Sequence, residues 1–176
     1  FVRELVGTPG FYDFDETKLG IHLRKIGVTG FQMETILRRE YNIQVEMSDL
    51  YNILAIVSMG DTKEDLQHLI NALRDYASRC EIREYETAAI TPETPSLIVS
   101  PRDAFYSHKK VVPLEQCAGE ISGEMILSYP PGIPVICPGE RFSKDTIDYV
   151  KLLKQETCQL QGTVDPFVNS VRVLGT

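Results

Sequence analysis

Leu19, Ile21 and Leu23 alternate with Gly20, His22 and Arg24, the period of a strand with one buried face. A helix is predicted next, capped by Thr29 and running to about Arg39, with Phe31, Met33, Ile36 and Leu37 on its apolar side. Residues 43–47 and 52–59 read as two strands, the second apolar enough for burial on both faces. Residues 61–65 open the clearest helix. Thr62 and Asp65 are spaced as a capping box, and Leu66, Leu69, Ile70, Leu73 and Tyr76 share one face. The order strand, helix, strand, strand, helix defines a compact α+β unit.

Thr91-Pro-Glu-Thr-Pro-Ser96 carries two prolines in six residues and reads as a boundary, giving domains at 1–95 and 96–176. In the second unit Leu97-Ile-Val99 is short and apolar. Pro101 then starts a helical segment reaching about Tyr106, proline being favoured in a first turn. Residues 120–127 and 134–137 are strand candidates. Ser143 caps a helix carrying Ile147, Val150 and Leu152 or Leu153, and Ser170-Val-Arg-Val-Leu174 alternates as a closing strand.

Ser128 to Glu140, which includes the strand candidate at 134–137, holds four of the ten prolines and two of the twelve glycines of the chain. Pro130, Pro131, Pro134 and Pro138 fix φ and remove backbone donors, so this stretch is extended, with bends at Gly132 and Gly139. Stiff before folding, it can hold Glu140 in a fixed place with little further entropy loss. A rigid connector between strands is an equally good reading.

Composition narrows the function. The chain has 176 residues, a net charge of −7 and a pI near 5.0. No Lys/Arg run exceeds two, so nucleic acid lacks the basic stripe it requires. No apolar stretch approaches the roughly 20 residues of a membrane span, and the start lacks signal-peptide character. Cys80, Cys117, Cys137 and Cys158 lie far apart, which argues against a metal site or disulfide framework and for reduced, cytoplasmic thiols. The first residue is Phe1, and the opening Phe-Val-Arg-Glu-Leu-Val reads as interior sequence, so a fragment of a longer protein is expected.

Familiar catalytic motifs are missing: there is no nucleophile elbow, dinucleotide turn or P-loop. Ser107-His108-Lys109 suggests a relay, but neighbouring residues on a helix diverge, so a solvated helix end is the better reading. His22 and His68 read as surface histidines. The carboxylates carry more. Glu46 sits in a strand beside Val45 and Met47, and Ser48-Asp49-Leu50-Tyr51 then turns the chain, gathering acidic and phenolic groups at a sheet end where pockets form. A carboxylate there can bind a cationic substrate end through a charge-assisted hydrogen bond. A solvated strand-face glutamate is the plainer alternative.

Tyr129-Pro-Pro-Gly-Ile-Pro134 with Pro138-Gly-Glu140 resembles the C-terminal part of the Orn/Lys/Arg decarboxylases, pyridoxal-phosphate enzymes of the aspartate-aminotransferase-like fold. Residues 15–19, 41–52, 58–61, 100–105 and 112–115 resemble further stretches of that family in the same order. Glu16 stands where the family pattern has proline, a change confined to a turn. The resemblance implies that residues 1–95 are a small α/β sandwich domain of the cofactor-binding core and 96–176 the family's C-terminal α+β domain. It implies a cytoplasmic homo-oligomer, dimeric or larger, of polyamine biosynthesis acting on arginine, lysine or ornithine, with no nucleic-acid or membrane partner.

In that family the cofactor-carrying lysine follows a Ser-x-His motif in a large domain. The Ser-His-Lys at 107–109 lacks the intervening residue, so the resemblance places the cofactor, its lysine and every catalytic residue outside this chain. The fragment alone is expected to be inactive. For substrate binding it points first to Glu46, which matches a family glutamate that contacts the distal substrate cation. Asp49 and Tyr51 are neighbouring candidates, Glu140 is a weaker one, and Arg102 is a possible carboxylate or interface partner. A small-metabolite binding or regulatory module, and a piece serving only oligomerisation, are the other classes this sequence suits.

Overall fold

The computed structural model describes residues 4, 6–80 and 93–175. The chain divides into two compact units, 1–84 and 85–176, each with antiparallel sheet and helix in α+β arrangement. The sequence reading placed the break after residue 95. Residues 91 and 92 of the proline-bearing stretch at 91–96, read as that boundary, lie outside the described range.

In the first unit β1 (Lys18–His22), α1 (Gly30–Tyr41), β2 (Met47–Ser48), β3 (Asn52–Ile56) and α2 (Lys63–Arg79) follow in order. The sheet order is β1-β3-β2, antiparallel throughout. Alternation decides which side chains go inside. Ile53 and Ala55 of β3 join Leu19 and Ile21 of β1 against Leu23, Val28, Met33, Leu37, Val45, Leu69 and Ala72. Each such side chain, once fully buried, contributes about 1.5–3 kcal/mol if it is of Val or Leu size. Lys18, Gly20 and His22 point the other way and are exposed.

The helices start where capping was predicted. The Thr29 hydroxyl accepts from the Gln32 N–H at 3.2 Å while the Gln32 side chain accepts from the Thr29 N–H at 3.4 Å. Thr62 and Asp65 repeat the arrangement for α2. Asn42, at φ 55°, ends α1 in the left-handed region that Asn tolerates.

Three expectations need correction here. The strand expected at 43–47 is reduced to Met47–Ser48, since Ile43 and Val45 leave α1 in irregular chain and use their side chains for the core. The strand expected at 52–59 ends at Ile56 and is not buried on both faces: only Ile53 is fully buried and Ile56 is exposed. The sheet is antiparallel with a single covered face, so one side of an apolar strand meets solvent. Ile70 is also exposed, because the buried stripe of α2 centres on Leu69 and Ala72.

The second unit holds α3 (Pro101–Tyr106), β4 (Lys109–Pro113), β5 (Ile126–Ser128), β6 (Ile133–Ile136), α4 (Lys144–Gln155), β7 (Leu160–Gln161) and β8 (Ser170–Leu174). Two antiparallel sheets form, β4-β8 and β6-β5-β7. Ile126, Ile136, Phe142, Ile147, Val150, Leu153, Val171 and Val173 are buried in this unit. Ser143 caps α4 by accepting from the Thr146 N–H at 3.0 Å. The proline-rich segment is a strand-turn-strand as read, with Gly132 at φ 102° and Gly139 at φ 91°.

Strand β4 was not foreseen. Ser107 caps the end of α3 and Lys109 already begins β4, so residues 107–109 bridge a helix and a strand rather than forming a solvated helix end. The candidate strand at 120–127 is shorter, with β5 beginning at Ile126 and residues 121 and 122 contributing isolated bridges.

One contact sets the local geometry of the first unit. A Cβ built on Gly30 would collide with the backbone carbonyl oxygens of Asn52 and Asp49. The first residue of α1 therefore lies directly on the turn between β2 and β3, with no room for any side chain. Gly30→Ala is expected to destabilise the chain by about 3 kcal/mol, at the upper end of overpacking effects, read as a lowered denaturant midpoint of the 176-residue protein. A midpoint unchanged from wild type would mean the turn moves aside without loss.

Candidate functional site

The turn beneath Gly30 contains two of the five candidate residues. Asp49 accepts at Oδ1 from the N–H groups of Tyr51 at 2.7 Å and Asn52 at 2.8 Å. The Asn52 amide donates to both of its carboxylate oxygens at 3.0 Å, and the Asp49 N–H donates to the Asn52 carbonyl at 2.9 Å. Asp49 thus organises its own turn, the side-chain-to-backbone closure that aspartate favours.

Tyr51 presents its ring beside charge. The Arg24 guanidinium carbon lies 5.7 Å from the ring centroid, and the His22 ring is 6.4 Å away. Its carbonyl accepts from the Leu23 N–H at 2.7 Å, fixing the end of β1 to the turn. Glu46 is exposed at the sheet edge. Its N–H donates to the Leu54 carbonyl at 2.8 Å, and Met47 is the register partner of that same Leu54, so two residues oppose one as in a β-bulge. The Glu46 carboxylate makes no hydrogen bond or ion pair among the described residues.

Glu34 was missed by the sequence reading. A glutamate on an amphipathic helix reads as solvated, yet this one is buried and its carboxylate accepts from Ser48 Oγ at 2.5 Å and from the Arg38 guanidinium at 2.5 Å. Ser48 is itself buried. The pair of contacts ties α1 to β2 and so steadies the strand that Glu46 leads into. The only available signal was the spacing of Glu34 and Arg38 on one helix face.

Glu140 and Arg102 belong to the second unit. The Glu140 carboxylate folds back to accept from the Cys137 N–H at 2.7 Å, closing the Cys137–Glu140 turn. Gly139 in that turn is buried, and a Cβ on it would strike the Val99 carbonyl oxygen. Its own carbonyl accepts from the N–H groups of Ile98 at 2.9 Å and Val99 at 3.1 Å. Arg102 is exposed on α3, its guanidinium without a partner among the described residues. Asp49 and Tyr51 share the β2-β3 turn and Glu46 lies just before β2, whereas Glu140 and Arg102 lie in the other unit.

His68 and His22 are exposed as read. His68 Nε2 lies 2.7 Å from the Tyr41 carbonyl, and His22 Nδ1 lies 2.9 Å from Asn52 Oδ1. No group of three or more His, Cys, Asp or Glu able to hold a metal occurs among the described residues. No helix among them is long and apolar enough to cross a membrane.

The lysines do not fit a cofactor-carrying role, which needs a sheltered amine. Lys109 Nζ donates to the carbonyls of Phe105 at 2.6 Å and Ser107 at 3.2 Å. Lys18, Lys110 and Lys151 pair with Asp15, Glu120 and Glu115, and Lys154 is held by Val168 and Asn169. Lys25, Lys63 and Lys144 are exposed.

Comparison with known proteins gives this architecture its class. Residues 84–164 match the model of the Orn/Lys/Arg decarboxylase C-terminal domain. The chain is 39% identical to the arginine decarboxylase of Bacillus anthracis over 175 residues, 98% of this chain and 36% of that protein. It is 38% identical to the arginine decarboxylase of Bacillus subtilis over 174 residues, again 36% of the relative. The fold is shared with the constitutive lysine decarboxylase of E. coli, at a TM-score of 0.70 and 21% identity, over 94% of this chain and 33% of that one. Residues 84–164 thus match the C-terminal domain of the Orn/Lys/Arg decarboxylases, and nearly the whole chain is similar to about a third of the length of arginine decarboxylases. It spans about a third of the length of the curated relatives it matches.

The closed Cys137–Glu140 turn can be tested through its thiol. Burial, and then the Glu140 carboxylate, push the Cys137 thiol up from its ordinary value, lowering its thiolate fraction near neutral pH. Iodoacetamide at pH 8, followed by site-resolved mass spectrometry, should label Cys137 more slowly than a solvated cysteine. Glu140→Gln, which keeps an acceptor for the Cys137 N–H, should accelerate labelling. Equal rates in the two proteins would remove Glu140 as an influence on that thiol.

Proposed function

We propose that this chain is the substrate-selecting part of a pyridoxal-phosphate-dependent decarboxylase of basic amino acids, acting in polyamine biosynthesis as a cytoplasmic homo-oligomer. Residues 1–95 would be the small domain of the cofactor-binding core and 96–176 the C-terminal domain, with the cofactor and its lysine supplied from outside the chain. What supports this reading is the similarity of nearly the whole chain to arginine decarboxylases. A second support is the one candidate carboxylate on the sheet edge left without an internal partner, that of Glu46.

The role of each candidate follows from what its side chain is already doing. Glu46, unengaged and exposed, is the residue available to a distal ammonium or guanidinium. Asp49 acts by holding the turn, and Tyr51 lines its outer side next to Arg24. Glu140 shapes the proline-rich turn through Cys137, and Arg102 is available to a carboxylate or to another surface. The polar work of this part is orientation and selection of a long cationic substrate; the bond-breaking chemistry belongs to the cofactor.

In the full-length enzyme Glu46→Gln should raise KM for the basic amino acid by a factor corresponding to about 1.5–3 kcal/mol, the range for a hydrogen bond to a charged group, while the thermal midpoint stays within a degree or so, as for an exposed side chain. The 176-residue chain given pyridoxal phosphate and L-arginine, L-lysine or L-ornithine should release no carbon dioxide above the free cofactor. Unchanged kinetics for Glu46→Gln would remove it from substrate binding, and turnover by the isolated chain would contradict the placement of the lysine outside it.

A further inference from the structure

The outward face of the first sheet contains a histidine whose ring orientation and tautomer are dictated from below. Register places His22 opposite Asn52, and places Gly20 opposite Leu54, the residue that Glu46 and Met47 meet from the other side. His22 and Gly20 are exposed, and a Cβ on Gly20 would meet nothing within 4 Å. Open space therefore lies over Gly20 beside His22 on β1, and the half-buried Leu54 of β3 stands between it and the edge at Glu46.

The tautomer follows from donor and acceptor chemistry. An ionised carboxylate only accepts, so the side of the Asn52 amide 3.0 Å from both Asp49 oxygens must be its NH2 group. The amide oxygen then faces His22 Nδ1 at 2.9 Å, and because that oxygen accepts, Nδ1 carries the hydrogen. In the neutral ring Nε2 is left with its lone pair. No described residue takes it.

We propose that His22 is a second substrate-binding residue, its Nε2 acting with the Glu46 carboxylate to accept N–H donors from a guanidinium. This rests on the preceding reading of Glu46. β1 and β2 flank β3, two strand spacings across, and Glu46 meets Leu54 two residues along from the Asn52 that faces His22, so the backbones bearing the two acceptors are about 12 Å apart. A guanidinium offers five donors spread around a plane and can serve acceptors on two sides; an ammonium concentrates three on one nitrogen. Asn52 and Asp49 are positioning residues in this arrangement, acting through the histidine.

His22→Asn separates the two functions of the ring, since an asparagine amide nitrogen can replace Nδ1–H toward Asn52 but supplies nothing at Nε2. In the full-length enzyme this variant should raise KM for L-arginine about tenfold, the scale of one hydrogen bond to a charged group, and leave kcat within about twofold. Where L-lysine is also turned over, its KM should rise less. If Glu46→Gln raises KM for L-arginine and His22→Asn does not, the proposal fails and the assignment of Glu46 stands; if neither does, both fail. Independently of any variant, nitrogen-15 correlation spectra of the 176-residue chain above about pH 7.5, where an ordinary imidazole is neutral, should show His22 as the Nδ1–H tautomer. A predominant Nε2–H form would overturn the proposal.

Discussion

The first unit depends on a backbone-to-backbone contact that leaves no room for a side chain. At Gly30 the start of α1 rests on the carbonyls of Asp49 and Asn52, so helix and turn have one mutual position. Interiors pack at crystal density, and a contact of this kind transmits position with little play. The buried Glu34, taking Ser48 from β2 and Arg38 from its own helix, fastens the neighbouring strand to the same helix. Between them these two contacts fix the end of the short β2 segment at Ser48 and the turn that follows it, a few residues from Glu46.

From that placement a hierarchy of polar groups follows. Asp49 satisfies the turn, Asn52 passes the orientation on, and His22 presents the outcome at the surface. The second unit uses the same device in different residues: Glu140 closes a turn through the Cys137 N–H while Gly139 allows the backbone of Val99 to approach. In both places a conspicuous carboxylate stabilises geometry. Carboxylates that close a turn and carboxylates left open are different kinds of residue, although sequence presents them identically.

Much of the fold was legible because it depends on local rules. Capping at Thr29, Thr62 and Ser143, the alternation of residues 170–174 and the bends at Gly132 and Gly139 are decided within a few residues, and all appear as read. What could not be read depends on distant partners. β4 exists because Lys109–Pro113 finds β8 more than fifty residues later. The expected two-sided burial of β3 failed for the same reason, since whether a strand is covered on one face or two is a property of its neighbours. Similarly, Glu46 was legible as a carboxylate at a sheet end and was ranked first by the family likeness, whereas the burial of Glu34 and the role of Asn52 required the register of the sheet. The split of the candidate residues between two units, by contrast, follows already from the proline-marked boundary read in the sequence.

The central claim is that the β2-β3 turn is locked by α1 and is not a loose surface loop. Amide hydrogen exchange at Tyr51 and Asn52, whose N–H groups Asp49 accepts, tests this most directly in the unmodified 176-residue chain. The account predicts protection comparable to that of the central residues of β3, such as Ile53. Exchange at the rate of an unstructured peptide, with Ile53 still protected, would contradict it.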